Sequence, residues 1–111
     1  MSKRLDYEVI LREAGFEKDR IETDHFSVAT PLPYVVIIYG KTNPYNADDK
    51  TLARVQNIVV ELYTDKKREP KLIHAVSEVL DRYDIIFETA EDYIESEKTY
   101  RVSFYFEEMI E

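Results

Sequence analysis

Carboxylates near the C-terminal end of the sequence are the residues with the clearest capacity for chemistry. Five acidic side chains fall within a ten-residue stretch: Glu88, Glu91, Asp92, Glu95 and Glu97. Paired carboxylates carry out acid and base catalysis when their surroundings separate their pKa values, and clustered carboxylates bind Ca²⁺ or Mg²⁺. The stretch lacks the D-x-[DN]-x-[DN]-G spacing of a calcium loop and falls at a predicted hairpin tip. We interpret it as a solvated edge in preference to a catalytic or metal site.

Two further groups could in principle bind a metal. Asp48 and Asp49 are adjacent, so their side chains point in different directions and share no other obvious ligand. The sequence has only two histidines, His25 and His74, and His74 has no second histidine four residues on, so no H-E-x-x-H motif arises. We therefore expect a turn or interface loop around Asp48 and no bound metal.

Glycine and cysteine usage excludes several enzyme classes. Gly15 and Gly40 are the only glycines, which rules out a P-loop, a G-x-G-x-x-G turn and a G-x-S-x-G nucleophile elbow. There is no cysteine, and nothing in the sequence forces a serine and a histidine together. The sequence predicts a protein that is not an enzyme and uses no cofactor.

The periodicity of apolar residues predicts two helices. One spans residues 3–14, with Tyr7, Ile10 and Leu11 on one face, and Gly15 supplies its left-handed stop. The other spans residues 70–83, with Pro70 in the first turn, where its missing N–H has no partner.

Alternation and β-branched runs predict the strands. They lie at 34–39, 54–64, 85–89 with an extension to Tyr93, and 99–107, and there is a further short candidate at 25–29. Asparagine, proline and aspartate in residues 40–50 indicate a long surface loop. In the last strand Tyr100, Val102, Phe104 and Phe106 share one face.

This order, α-β-β-α-β-β, predicts a single α+β domain over residues 1–111. A mostly antiparallel sheet of about four strands, with both helices on one face, would bury both apolar stripes together.

The net charge of −8 is concentrated at the C-terminal end. Residues 88–111 hold eight acids against Lys98 and Arg101, a net −6, which leaves −2 for the first 87 residues. Because Lys and Arg contacts to phosphate dominate nucleic-acid affinity, specific binding to nucleic acid or to an anionic membrane is not expected. The N-terminal residues lack the apolar run of a signal peptide, so we expect a cytosolic protein or part of a cytosolic assembly.

Tyrosines are more numerous than a small core requires. The chain has nine Tyr and no Trp, and tyrosine is enriched at protein interfaces. We take a set of aromatic and charged residues as candidates for a subunit interface or a ring lumen: Tyr34, Tyr45, Asp48, Asp49, Tyr63, Glu91, Asp92, Glu95, Glu97 and Lys98.

Four blocks of the sequence resemble a known family. They are Pro33-Tyr34-Val35-Val36, Asn46-Ala47-Asp48-Asp49-Lys50, the block from Val60 to Lys67, and the block from Tyr93 to Phe106. In this order they resemble the tail terminator, or tail-completion, proteins of long-tailed phages and prophages. The resemblance spans residues 33–106. The sequence departs from the family pattern at Arg68-Glu69-Pro70, which is one residue longer.

The resemblance implies an α+β fold and a homo-oligomeric ring, commonly a hexamer, at the head-proximal end of the tail. Such a ring stops tube growth, contacts the major tail tube protein and offers a docking surface to the head connector protein. It allows DNA to pass, and an acidic lumen would not hold phosphate. The implied location is the virion tail, after assembly in the host cytoplasm.

Three other functions compete with this interpretation. A head-closure or head-tail adaptor protein belongs to the same assembly class. A monomeric, non-enzymatic cytosolic binding module and a small metal-dependent hydrolase that uses the acidic stretch are the alternatives from other classes.

Overall fold

The structure, a computed structural model, describes residues 4–24, 30–47 and 50–110, and describes residues 45–47 and 50–53 by their backbone alone. Two α-helices and five strands form along the chain, with a short 3₁₀ turn at Lys18–Arg20. In chain order they are α1 (Tyr7–Glu13), β1 (Ile21–Thr23), β2 (Tyr34–Ala47), β3 (Lys50–Asp65), α2 (Pro70–Arg82), β4 (Glu88–Ile94) and β5 (Thr99–Met109). Neither described helix has the length and apolar character needed to cross a membrane.

The strands form one mixed sheet in the order β1-β2-β3-β5-β4. β1 runs parallel to β2, and the other three pairs are antiparallel. The α+β class is confirmed, but the prediction of four strands was one strand short. β1 has three residues in a polar stretch, too few for a period-two pattern to be visible. The strand predicted at residues 25–29 lies outside the described residues.

Both helices pack on the same face of the sheet, which we call the helix face. Val35 of β2, Val60 of β3 and Phe104 of β5 are fully buried there, because alternate residues of each strand point to this side. Val76, Val79 and Leu80 are the buried residues of α2, and Tyr7, Ile10 and Leu11 are those of α1. We call the opposite side, on which no described helix packs, the open face.

Helix α1 begins later than the sequence indicates. Asp6 is its N-cap, and its Oδ1 accepts hydrogen bonds from the backbone N–H groups of Glu8 and Val9 at 3.1 and 3.3 Å. An aspartate in this role satisfies N–H groups that the first turn leaves unpaired, so the helix starts at Tyr7. Gly15 follows the helix with φ 107°, which confirms the predicted left-handed stop.

The surface loop predicted at residues 40–50 is wrong, because β2 and β3 continue through it. Residues 44–47 pair with residues 50–54, which have no pairing partner in β5, because the pairing of β3 with β5 begins at Val55; Thr42 and Asn43 lead into this ribbon. We call residues 42–47 and 50–54 the arm. Pro44 is tolerated here because β2 has no described partner on its other side beyond β1, and proline is accepted on such open edges.

A bulge marks the base of the arm. Tyr39 pairs with Ile58 and Thr42 with Gln56, so Gly40 and Lys41 together oppose Asn57. A side chain at position 40 would place its Cβ 3.1 Å from the backbone oxygen of Asn57, which is a tight contact. Glycine therefore allows the two strands to approach closely where the ladder changes register.

Candidate interaction surfaces

The acidic residues predicted to form one site are divided between the two faces of the sheet. Glu91 pairs with Val102 on the helix face, whereas Asp92 pairs with Arg101 on the open face. Glu95, Glu97 and Lys98 are exposed in the turn between β4 and β5. The carboxylates of Glu91 and Asp92 therefore do not form a pair that could share a proton or a metal.

Each of these two carboxylates has its own basic partner. Asp92 accepts two hydrogen bonds from Arg101, from Nε at 2.9 Å and from Nη2 at 2.8 Å. Glu91 accepts one from Arg68 Nε and one from the Tyr100 hydroxyl, both at 2.7 Å. The hydrogen bonds from Arg68 and Tyr100 hold the pKa of Glu91 below its ordinary value. An acid in this setting stays ionised and is poorly suited to donate a proton.

Arg101 extends this ion pair across the open face. Its Nη1 lies 3.9 Å from Glu61 Oε2 on β3, and Glu61 in turn accepts a hydrogen bond from the Tyr63 hydroxyl at 2.8 Å. Burial, followed by the hydrogen bond to Glu61, raises the pKa of Tyr63. The side chains of Asp92, Arg101 and Glu61 thus link the adjacent strands β4, β5 and β3. Tyr63 stays protonated and donates a hydrogen bond to Glu61.

Two of the three tyrosines predicted as interface candidates are largely buried within the chain. Tyr34 and Tyr63 stack with ring centroids 5.0 Å apart and an angle of 13° between their planes. They are 8% and 1% exposed and form a small open-face cluster with Val36. The side chain of Tyr45, and Asp48 and Asp49 altogether, lie outside the described residues.

Exposed apolar residues gather elsewhere, at the base of the arm. Ile86 is 93% exposed, Met109 51% and Tyr105 45%. They line an open depression of about 1040 Å³ together with Lys41, Asn57 and Glu107. We call this depression the β5 groove. Tyrosines were singled out from the sequence as a class, but Ile86 and Met109 were not, because an isolated apolar residue in a sequence carries no sign of exposure.

A buried glutamate is the other feature that the sequence reasoning missed. Glu108 is 9% exposed and accepts hydrogen bonds from Arg4 Nε at 2.8 Å, the Leu5 backbone N–H at 3.1 Å and the Tyr7 hydroxyl at 2.5 Å. The alternation of side chains along β5 could have revealed it. Phe104 and Phe106 face the core, and Glu108 is the next residue on the same side of the strand. This carboxylate anchors the N-terminal segment and is saturated by these contacts.

The described side chains offer no metal site. Among them, no group of three or more His, Asp or Glu residues lies close enough together to hold a metal ion. The structure presents three prominent surface features: the arm, the β5 groove and the acidic turn at residues 95–98.

The comparison of this chain with solved structures finds a similarity in fold. The chain is similar to a protein chain in a solved structure of the virion of a native gene transfer agent (GTA) particle, with 18% identity and a TM-score of 0.58. The similarity covers 90% of this chain and 90% of the other. No protein-family model matches the sequence, and no curated protein sequence matches it. The two chains thus share a fold over nearly their whole length.

Proposed function

We propose that this protein is a structural component of a phage-like virion, a tail terminator that forms a ring on the tail tube and joins it to the head connector. The observation that carries the proposal is the fold shared, over 90% of both chains, with a chain of a gene transfer agent virion. The resemblance of residues 33–106 to tail terminators supports the finer role.

The surfaces of the chain fit a function based on protein contacts. The arm extends beyond the sheet, and the β5 groove exposes apolar side chains, as expected where subunits meet. Glu91 and Asp92 are paired with arginines and fixed in place. The activity we propose has no chemical step: a ring that matches the end of the tube blocks the addition of further tube subunits.

The acidic turn fits the passage of DNA. Glu95 and Glu97 are exposed, and in a ring whose lumen they face, their carboxylates would repel the phosphate backbone and leave DNA free to slide. We propose this orientation for the turn together with Lys98.

The test is tube capping. The purified chain is added to tail tube protein from the same genome during polymerisation, and tube ends are imaged by negative-stain electron microscopy. We expect a cap at one end of each tube and an early stop to elongation. A tube protein preparation without the chain is the control.

Two results would contradict the proposed role. Tubes that elongate without caps while the chain binds the purified connector would assign it to head closure. A chain that stays monomeric and binds neither tube nor connector would favour a small binding module outside the virion.

A further inference from the structure

The arm is a two-stranded ribbon that is held to the rest of the chain at its base, where Thr42 pairs with Gln56 and the Ile110 N–H donates to the Arg54 carbonyl at 2.9 Å. Its six-residue β2 segment extends roughly 20 Å at about 3.4 Å per residue. The radius of gyration is 15.1 Å, above the value of about 13 Å typical of a compact chain of this size. Thr42, Pro44 and Arg54, near its base, are exposed. The arm is thus a projection and not part of the packed domain.

A ribbon of this kind is expected to need a partner. Isolated two-stranded hairpins are marginally stable in water, and open strand edges are liable to pair with other chains. No described residue of the arm lines the β5 groove of its own chain, although the groove begins at the bulge where the arm starts. In the described part of the chain, the groove is therefore open to solvent.

Charge favours the arm of another copy as the occupant. Residues 42–54 contain two basic residues, Lys50 and Arg54, and two acidic residues, so they are neutral in a chain of net −8. The lining of the β5 groove includes the acidic residues Asp84, Glu88 and Glu107 around its apolar part. A contact of arm with groove therefore brings a segment without net charge to an acidic surface, which avoids the repulsion expected between two acidic chains.

We infer that the arm of one copy docks in the β5 groove of the next copy, an inference that rests on the proposed ring. The contact is heterologous, because the surface that donates differs from the surface that accepts. Repetition of such a contact closes into a ring when its rotation permits. Ile86 and Tyr105 supply the apolar anchor on the acceptor side.

The test uses two variants that each lose one half of the contact. In the arm variant, residues 44–54 are replaced by Asn-Gly, a two-residue turn that joins the paired positions Asn43 and Val55. In the groove variant, Ile86→Ser and Tyr105→Ser remove the exposed apolar surface. Val9→Ser is the matched control, since Val9 is 49% exposed on α1 and does not line the groove. Circular dichroism checks that each variant is folded.

Analytical ultracentrifugation measures the assembly. We expect oligomers for the wild type and the Val9→Ser control, and self-association weaker by about tenfold or more for each variant alone. An equimolar mixture of the two variants should form dimers and nothing larger, because one intact arm meets one intact groove.

Three results would overturn the inference: a wild type that stays monomeric at every concentration, an arm variant that assembles as the wild type does, or a mixture that remains monomeric. Tube capping separates this test from the proposed function. An arm variant that still caps tubes would refute the arm contact and leave the proposed function standing. Wild-type oligomers that never cap tubes would contradict the proposed function and leave the arm contact standing.

Discussion

Glu108 is the residue on which the attachment of the N-terminal segment depends. Burial alone would raise its pKa, but the hydrogen bonds from Tyr7, Arg4 and Leu5 outweigh burial and hold the pKa below its ordinary value of 4.5. The carboxylate therefore stabilises the fold at pH values above 4.5, and that contribution is lost as the pH falls through the lower folded-state pKa.

Replacement of Glu108 should expose this dependence. We expect Glu108→Gln to lower the free energy of unfolding by about 1–3 kcal/mol at neutral pH, because the groups of Arg4 and Tyr7 lose a charged acceptor. Urea denaturation at a series of pH values measures it, and the gap between variant and wild type should narrow in acid. Glu107→Gln, an exposed neighbour, is the control. A gap that is the same at all pH values would contradict the role of the charge.

The candidate site residues were only partly predictable from sequence. Solvation of the acidic turn followed from its composition, whereas the pairs Asp92 with Arg101 and Glu91 with Arg68 depend on strand register and on where a distant turn lies. Register is set by contacts across the sheet, and a local sequence pattern does not contain it.

At the scale of elements, the two helices end in the same backbone motif with different residues. After α1, Gly15 takes φ 107° and Phe16 N–H bonds to the Leu11 carbonyl. After α2, Asp84 takes φ 59° and Ile85 N–H bonds to the Leu80 carbonyl. The left-handed conformation is strained for a residue with a side chain, and an acid at a helix C-terminus also faces the negative end of the helix dipole.

Exchanging these residue types should shift stability in opposite directions. We expect Asp84→Gly to raise the free energy of unfolding by roughly 0.5–1 kcal/mol and Gly15→Ala to lower it by about 1 kcal/mol. Thermal and urea denaturation at one fixed protein concentration measure both, because self-association would itself raise apparent stability. A loss of stability in Asp84→Gly would mean that its carboxylate makes a favourable contact.

The helix whose apolar residues recur over several turns was predicted well. The strands whose extent depends on pairing with a neighbouring strand were not. The apolar stripe of α2 runs through Leu72, Val76 and Val79, so its bounds were correct within one residue. The arm was mistaken for a loop because Asn43, Pro44 and Asn46 favour turns, a local preference that the facing strand overrides. β1 exists because β2 offers an edge to it, which its own sequence does not reveal.

For the whole molecule, the distribution of charge is the property most closely tied to the proposed function. Glu91 and Asp92 are neutralised locally by arginines, which leaves Glu95 and Glu97 as the exposed carboxylates of the turn. Replacing the two exposed acids changes the field without breaking an ion pair of the sheet. They are thus the better probes of a DNA channel.

We expect Glu95→Lys combined with Glu97→Lys to leave ring formation and tube capping intact but to reduce infectivity, since lysines in a lumen bind phosphate. Plaque assays of particles assembled with the variant measure the effect, and microscopy confirms that caps still form. Glu17→Lys with Asp19→Lys, two exposed acids before β1, makes the same change in net charge elsewhere. Equal infectivity of both double variants would argue against a lumen at this turn.

The hydrogen bonds that Glu108 accepts from Arg4, Leu5 and Tyr7 also bear on the order in which parts of the chain fold. They join residues 101 to 104 positions apart, and the central β3 must wait for β5, which follows it by a whole helix and strand. During translation α1 emerges well before Glu108, the residue that accepts these hydrogen bonds. Such long-range closure slows folding, so the domain should complete its fold only after the ribosome has finished β5. Subunits able to assemble would then appear only after β5 is complete, which would keep partial copies out of the proposed ring.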